Sequence, residues 1–107
     1  MFIVIRGLKA APWLLLAGAL LSACAVAPMQ EMSDARQAIA AAREAGAETY
    51  ATDELGAAEV LLGQAQAALK RGDYDGSRED ALRARREAVK ARELALELQQ
   101  ETDTQSQ

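Results

Sequence analysis

Few side chains in this 107-residue sequence could do chemistry, and the most distinctive is its single cysteine, Cys24. The thiolate is a strong nucleophile that a lipid donor can alkylate to a thioether. Cys24 closes the run Leu21-Ser22-Ala23-Cys24 at the end of an apolar stretch. Histidine is absent, and one cysteine permits neither an internal disulfide nor a multi-cysteine metal centre. Carboxylates occur in close pairs, Asp53 with Glu54, Glu79 with Asp80 and Glu93 with Glu97. Glycosidase chemistry would need two carboxyls about 5 to 10 Å apart across a cleft, with one desolvated. An Ala-rich chain offers no obvious cleft, so no catalytic residue is assigned and no enzyme is expected. The remaining cluster is basic: Arg83, Arg85, Arg86, Lys90 and Arg92 could meet an anionic polymer or lipid head groups. The blander reading, which carries more weight, is a solvated face paired with its own acids: Lys90 and Arg92 with Asp53, Glu54 and Glu59, and Arg83 with Glu79 and Glu87.

The segment before Cys24 gives that residue its context. Arg6 and Lys9 form a short positive region, Ala10 to Leu20 an apolar one, and Leu21, Ser22 and Ala23 the small-residue end that precedes a cut. The layout resembles a secretory signal closed by a bacterial lipobox, with residues 1–23 removed and Cys24 lipidated. Three alternatives stay open. Ala10 to Ala27 carries no charge and approaches the roughly 20 apolar residues of a spanning helix, although Pro12 and Pro28 weaken that pattern. Ala25-Val26-Ala27 offers an ordinary signal-peptidase site, with Pro28 badly placed just after it. Cys24 could also be a structural residue that happens to follow Leu-Ser-Ala.

Removing residues 1–23 takes two basic residues and no acid from a chain of net charge −4, so the remainder is still more acidic. Such a chain is a poor non-specific ligand for nucleic acid. Phe2 and Trp13 also leave, and Tyr50 and Tyr74 become the only aromatic residues. Any core must be built from Ala and Leu.

The pattern after Cys24 is helical throughout. Residues 24–28 read as a lipidated tether, 29–100 as a helical domain and 101–107 as a disordered polar tail. Met29 to Ala45 lacks Gly and Pro, and Ala35, Ala38, Ile39 and Ala42 share one face. Gly46 suits a helix stop, followed by a link through Tyr50. Thr52 reads as the cap of a second helix with Asp53 and Glu54 in its first turn. Its seam is Leu55, Ala58, Leu62, Ala65 and Leu69, alternating three and four. Gly72 ends it, and Asp73 caps a third helix that runs to about Gln99. The third seam starts with Tyr74 and Ser77 and continues through Ala81, Ala84, Ala88, Ala91 and Ala95 to Leu98. The expected fold is all-α: a small antiparallel bundle of three helices, with helices two and three as an Ala-rich hairpin, after the signal segment.

The lipobox, Ala35-Arg36-Gln37-Ala38-Ile39, Gly46-Ala47-Glu48-Thr49-Tyr50-Ala51 and Leu69-Lys70-Arg71-Gly72-Asp73-Tyr74 resemble the bacterial lipoproteins grouped as domain of unknown function 4398. That resemblance implies a helical fold and an envelope location and carries over no catalytic or binding residue. It also implies outer-membrane sorting, since Ala25 rather than Asp follows the cysteine; an inner-membrane anchor is the alternative. The expectation is therefore a periplasm-facing, lipid-anchored module that acts structurally or through protein interaction. An envelope protein or self-association would supply stability that a thin Ala core lacks. The alternative function is binding of anionic cell-wall or lipopolysaccharide components through Arg83 to Arg92. No metal or cofactor is expected beyond the covalent lipid on Cys24.

Overall fold

Runs of helix formers give long helices, and Gly46 and Gly72 set where two of them stop. A computed structural model describes residues 26–107. These form α1 (Met29–Glu44), α2 (Ala47–Tyr50), α3 (Thr52–Lys70) and α4 (Tyr74–Gln105). The Leu21–Cys24 motif and the expected signal segment, residues 1–23, lie outside the described residues. The described part is all-α, with four helices where the sequence suggests three. The extra one is a single turn, Ala47–Tyr50, in place of the expected link. Its first residue, Ala47, is fully buried, so packing stabilises a turn too short to form alone.

Gly46 and Gly72 are the only described residues with left-handed backbone, at φ +91° and +79°. Gly46 stops α1, its N–H reaching the Arg43 carbonyl. At Gly72 the chain closes a Schellman turn, with Asp73 N–H bonded to Ala68 O and Gly72 N–H to Leu69 O. The Asp73 carboxylate then accepts from Gly76 N–H at 3.0 Å and caps α4. Thr52 does not cap α3. Ala51 holds that position, and Thr52 is already helical, its hydroxyl turned back to the Glu48 carbonyl at 3.4 Å.

The core is almost entirely alanine. Met32, Ala35, Ile39 and Ala42 of α1 are buried, as are Leu55, Ala58, Ala65 and Ala68 of α3. From α4 come Ser77, Ala81, Ala84, Ala88, Ala91 and Ala95. One cluster joins Met32, Ala65 and Ala81; a second joins Ile39 and Ala42 to Leu55, Ala58, Ala88, Ala91 and Ala95. The end of α3 thus meets the starts of α1 and α4, and its start meets their later parts. Side chains this small let helix backbones approach toward the low end of the usual 8–10 Å separation.

Departures from the sequence pattern fall at the ends. Ala68 takes the seam position expected of Leu69, and Tyr74 is 40% exposed instead of filling the core. Both changes sit beside the three-residue turn, where α3 and α4 converge and large side chains are pushed outward. The last helix also runs past its expected end near Gln99, and α4 continues to Gln105. Residues 101–107 are all exposed. No Gly or Pro interrupts them, and each added residue extends an existing helix without a new nucleation cost.

Candidate functional site

The Ala face of α4 fixes which of its residues look outward. At 3.6 residues per turn, Leu82, Val89 and Leu96 lie about 120° from the centre of that face. They are 37%, 41% and 38% exposed, and their spacing of seven sets them in one line. Arg85 and Arg92 lie between this line and α1, with Arg86 on its other side. A groove between α1 and α4 is lined by Ala38, Ala41, Val89, Arg85 and Arg92, with Asp34 and Gln37 at its α1 edge. A second depression along α4 is lined by Leu82, Arg85, Arg86, Val89 and Lys90.

The basic cluster divides in two by its partners. Arg83 faces Asp80 at 3.7 Å, and Lys90 donates to Glu87 at 3.2 Å, both within α4. Arg85, Arg86 and Arg92 form no ion pair among the described residues. Residues 1–25 contain no acid that could supply one. The expected cross-hairpin pairing of Lys90 and Arg92 with Asp53, Glu54 and Glu59 is therefore corrected. Glu59 binds Arg43 of α1 instead, because Arg43 stands across the α1–α3 groove beside it. The Glu79–Arg83–Glu87 ladder is likewise replaced by i,i+3 pairs. Arg85, Arg86 and Arg92 are exposed, and Asp34, which lines the same groove as Arg85 and Arg92, forms no ion pair with them.

Three further residues make contacts that escaped the sequence pattern. Arg78 joins Glu31 at 3.3 Å and Asp75 at 3.5 Å, and it donates to the Val26 carbonyl at 3.3 Å. With Pro28 buried, this holds the start of the described chain beside the α3–α4 turn. The Gln99 amide donates to the Ala45 carbonyl at the end of α1. Ser77, fully buried, donates to the Ala65 carbonyl at 2.8 Å. Arg78 and Gln99 could have been suspected only from the three-dimensional pairing of α1 with α4.

Of the paired carboxylates, Asp53, Glu79, Glu93 and Glu97 are exposed, and Asp80 faces Arg83. Among the described residues, no three Asp, Glu, Cys or His side chains gather as metal ligands. None of the described helices is long and apolar enough to cross a membrane.

An all-helical domain with an alanine core and a basic, partly apolar outer face is the class defined by this arrangement. The family model described as Domain of unknown function (DUF4398) matches residues 30–106. The chain belongs to that family. Comparisons with curated proteins and with solved structures give no match.

Proposed function

We propose that the protein is a small lipoprotein of the bacterial envelope, anchored through Cys24 and acting as a structural or protein-interaction module. Leu21-Ser22-Ala23-Cys24, closing a positively charged and then apolar leader, is the observation that carries this reading. In it residues 1–23 are the signal peptide and Cys24 carries the acyl chains. One chain holds only marginally at about 0.8 kcal/mol per buried methylene, so several are needed for lasting attachment. We read residues 29–100 as a small antiparallel bundle built on the α3–α4 hairpin, with α2 as the corner between α1 and α3. Val26 is two residues from Cys24 and is held by Arg78, so the lipid would lie near the Gly72 turn. The far half of α4 would then point away from the membrane, toward the periplasm if the anchor is in the outer membrane. An inner-membrane anchor would preserve the same polarity.

A second reading, binding of anionic cell-wall or lipopolysaccharide components, is favoured by the unpaired Arg85, Arg86 and Arg92. Crosslinking in cells, followed by identification of what copurifies, separates the two. A reproducible protein partner supports the first reading. Recovery of glycan or lipopolysaccharide alone, lost when Arg85 and Arg86 are made acidic, supports the second.

A further inference from the structure

We infer, resting on the reading of Cys24 as the lipid anchor, that the end of the domain around the Gly72 turn docks on the bilayer as a second membrane contact. Tyr74, Val26 and Met29 enter the head-group region, and Lys70 and Arg71 meet the lipid phosphates. The helices then stand away from the surface instead of swinging on a loose tether. Met32, Ala65 and Ala81 pack in one cluster, which brings the starts of α1 and α4 to the end of α3. The docking residues therefore share one end of the domain.

The short chain between the lipid and the domain selects the bilayer as the occupant. Arg78 holds Val26 through its carbonyl at 3.3 Å, and Pro28 is fully buried. From Val26 back to Cys24 is two residues, a reach of at most about 7 Å. Tyr74 lies four residues before Arg78, about 6 Å along α4, with the Gly72 turn beyond it. The turn thus stands at the level the lipid can reach, and an acylated Cys24 that enters a bilayer brings the turn to its surface.

The side chains at this end suit that surface. Val26 and Met29 are 58% and 57% exposed, more than any of Leu82, Val89 and Leu96. Tyr74 is exposed beside them, and tyrosine favours the interface because its ring is apolar while its hydroxyl bonds to head groups and water. Arg78 pairs with Glu31 and Asp75, and the Asp73 carboxylate accepts from Gly76 N–H. Lys70 and Arg71 are exposed and form no ion pair among the described residues. Two free cations thus stand against one capping anion, and their long apolar stems let the charged heads reach phosphate. The line of Leu82, Val89 and Leu96 is bordered by Asp34 and Glu93, so laying it flat would press those carboxylates on the lipid.

The test expresses the full chain, extracts the protein from membranes and places it in nanodiscs of phosphatidylethanolamine and phosphatidylglycerol that carry a head-group nitroxide lipid. Trp13 leaves with residues 1–23, so Tyr74→Trp gives the processed protein a single tryptophan at the docking end. Leu96→Trp places one about 33 Å further along α4. The nitroxide is expected to quench the tryptophan at 74 and not the one at 96. Adding Lys70→Gln/Arg71→Gln should cut the quenching at 74 by about half or more, because each cation near an anionic surface adds to the attraction. Far-UV circular dichroism confirms that the variants remain helical. Equal quenching at 74 and 96, as in a domain lying flat, or quenching at 74 that ignores the Lys70 and Arg71 changes, overturns the inference. No quenching at 74, in a protein whose intact mass shows lipid on Cys24, overturns it while leaving the proposed function standing. A mass without lipid removes both.

Discussion

Replacing Gly46 by Ala tests how the end of α1 is locked to α4. Gly46 has φ +91°, where an L-residue costs about 1–2 kcal/mol. A second cost comes from Gln99, whose amide lies where the new Cβ would stand. Gln99 must swing away and give up its bond to the Ala45 carbonyl, worth about 1 kcal/mol. Gly46→Ala should therefore lose about 2–3 kcal/mol, a large share of the stability of so small a domain. Gln99→Ala alone should lose about 1 kcal/mol. In the double variant the bond is already gone and the overlap with it, so the loss should match Gly46→Ala alone. The coupling is then about 1 kcal/mol. Urea unfolding of the detergent-solubilised protein, followed by far-UV ellipticity, measures all four members of the cycle. Strict additivity, with the double variant losing about 3–4 kcal/mol, would refute the shared use of that space.

Three other substitutions probe the core and the turn by the same unfolding assay. Ala88→Leu adds bulk at a fully buried seam position and should cost about 1–3 kcal/mol, whereas Ala57→Leu on the exposed side of α3 should change stability by less than about 0.5. Ser77→Ala removes the bond to the Ala65 carbonyl and should cost about 1 kcal/mol; a neutral result would show that this buried hydroxyl contributes nothing. Asp73→Ala should lose about 1 kcal/mol by leaving the Gly76 N–H uncapped, while Asp73→Asn should retain most of it.

The sequence made the alanine seams, Gly46, Gly72 and the Asp73 cap legible, because each follows from local geometry. Ala81, Ala84, Ala88 and Ala91 repeat at three and four residues, and that period alone identifies the buried face. Glycine adopts the left-handed backbone found at 46 and 72 without the steric cost other residues meet there. Ion-pair partners were not legible. Arg43 and Lys90 have long, freely rotating side chains, and several acids lie within reach of each in any approximate register. Thr52 was misread because a capping residue type says nothing of the preceding turn, which here ends one residue earlier at Ala51. The α1–α4 groove could not be seen at all in one dimension. Its residues come from two helices, Ala38 and Ala41 from α1 and Arg85, Val89 and Arg92 from α4, and no pattern within either helix pairs them.

In the proposed lipoprotein, the lipid on Cys24 would set which end of the helical domain meets the membrane. The direct measurement is the intact mass, with N-terminal fragmentation, of the protein extracted from membranes. The proposed lipoprotein would begin at Cys24 and carry the mass of a thioether-linked diacylglycerol, with or without a further amide-linked acyl chain. A membrane-bound species that still begins at Met1, or an unmodified chain cut after Ala27, would contradict it.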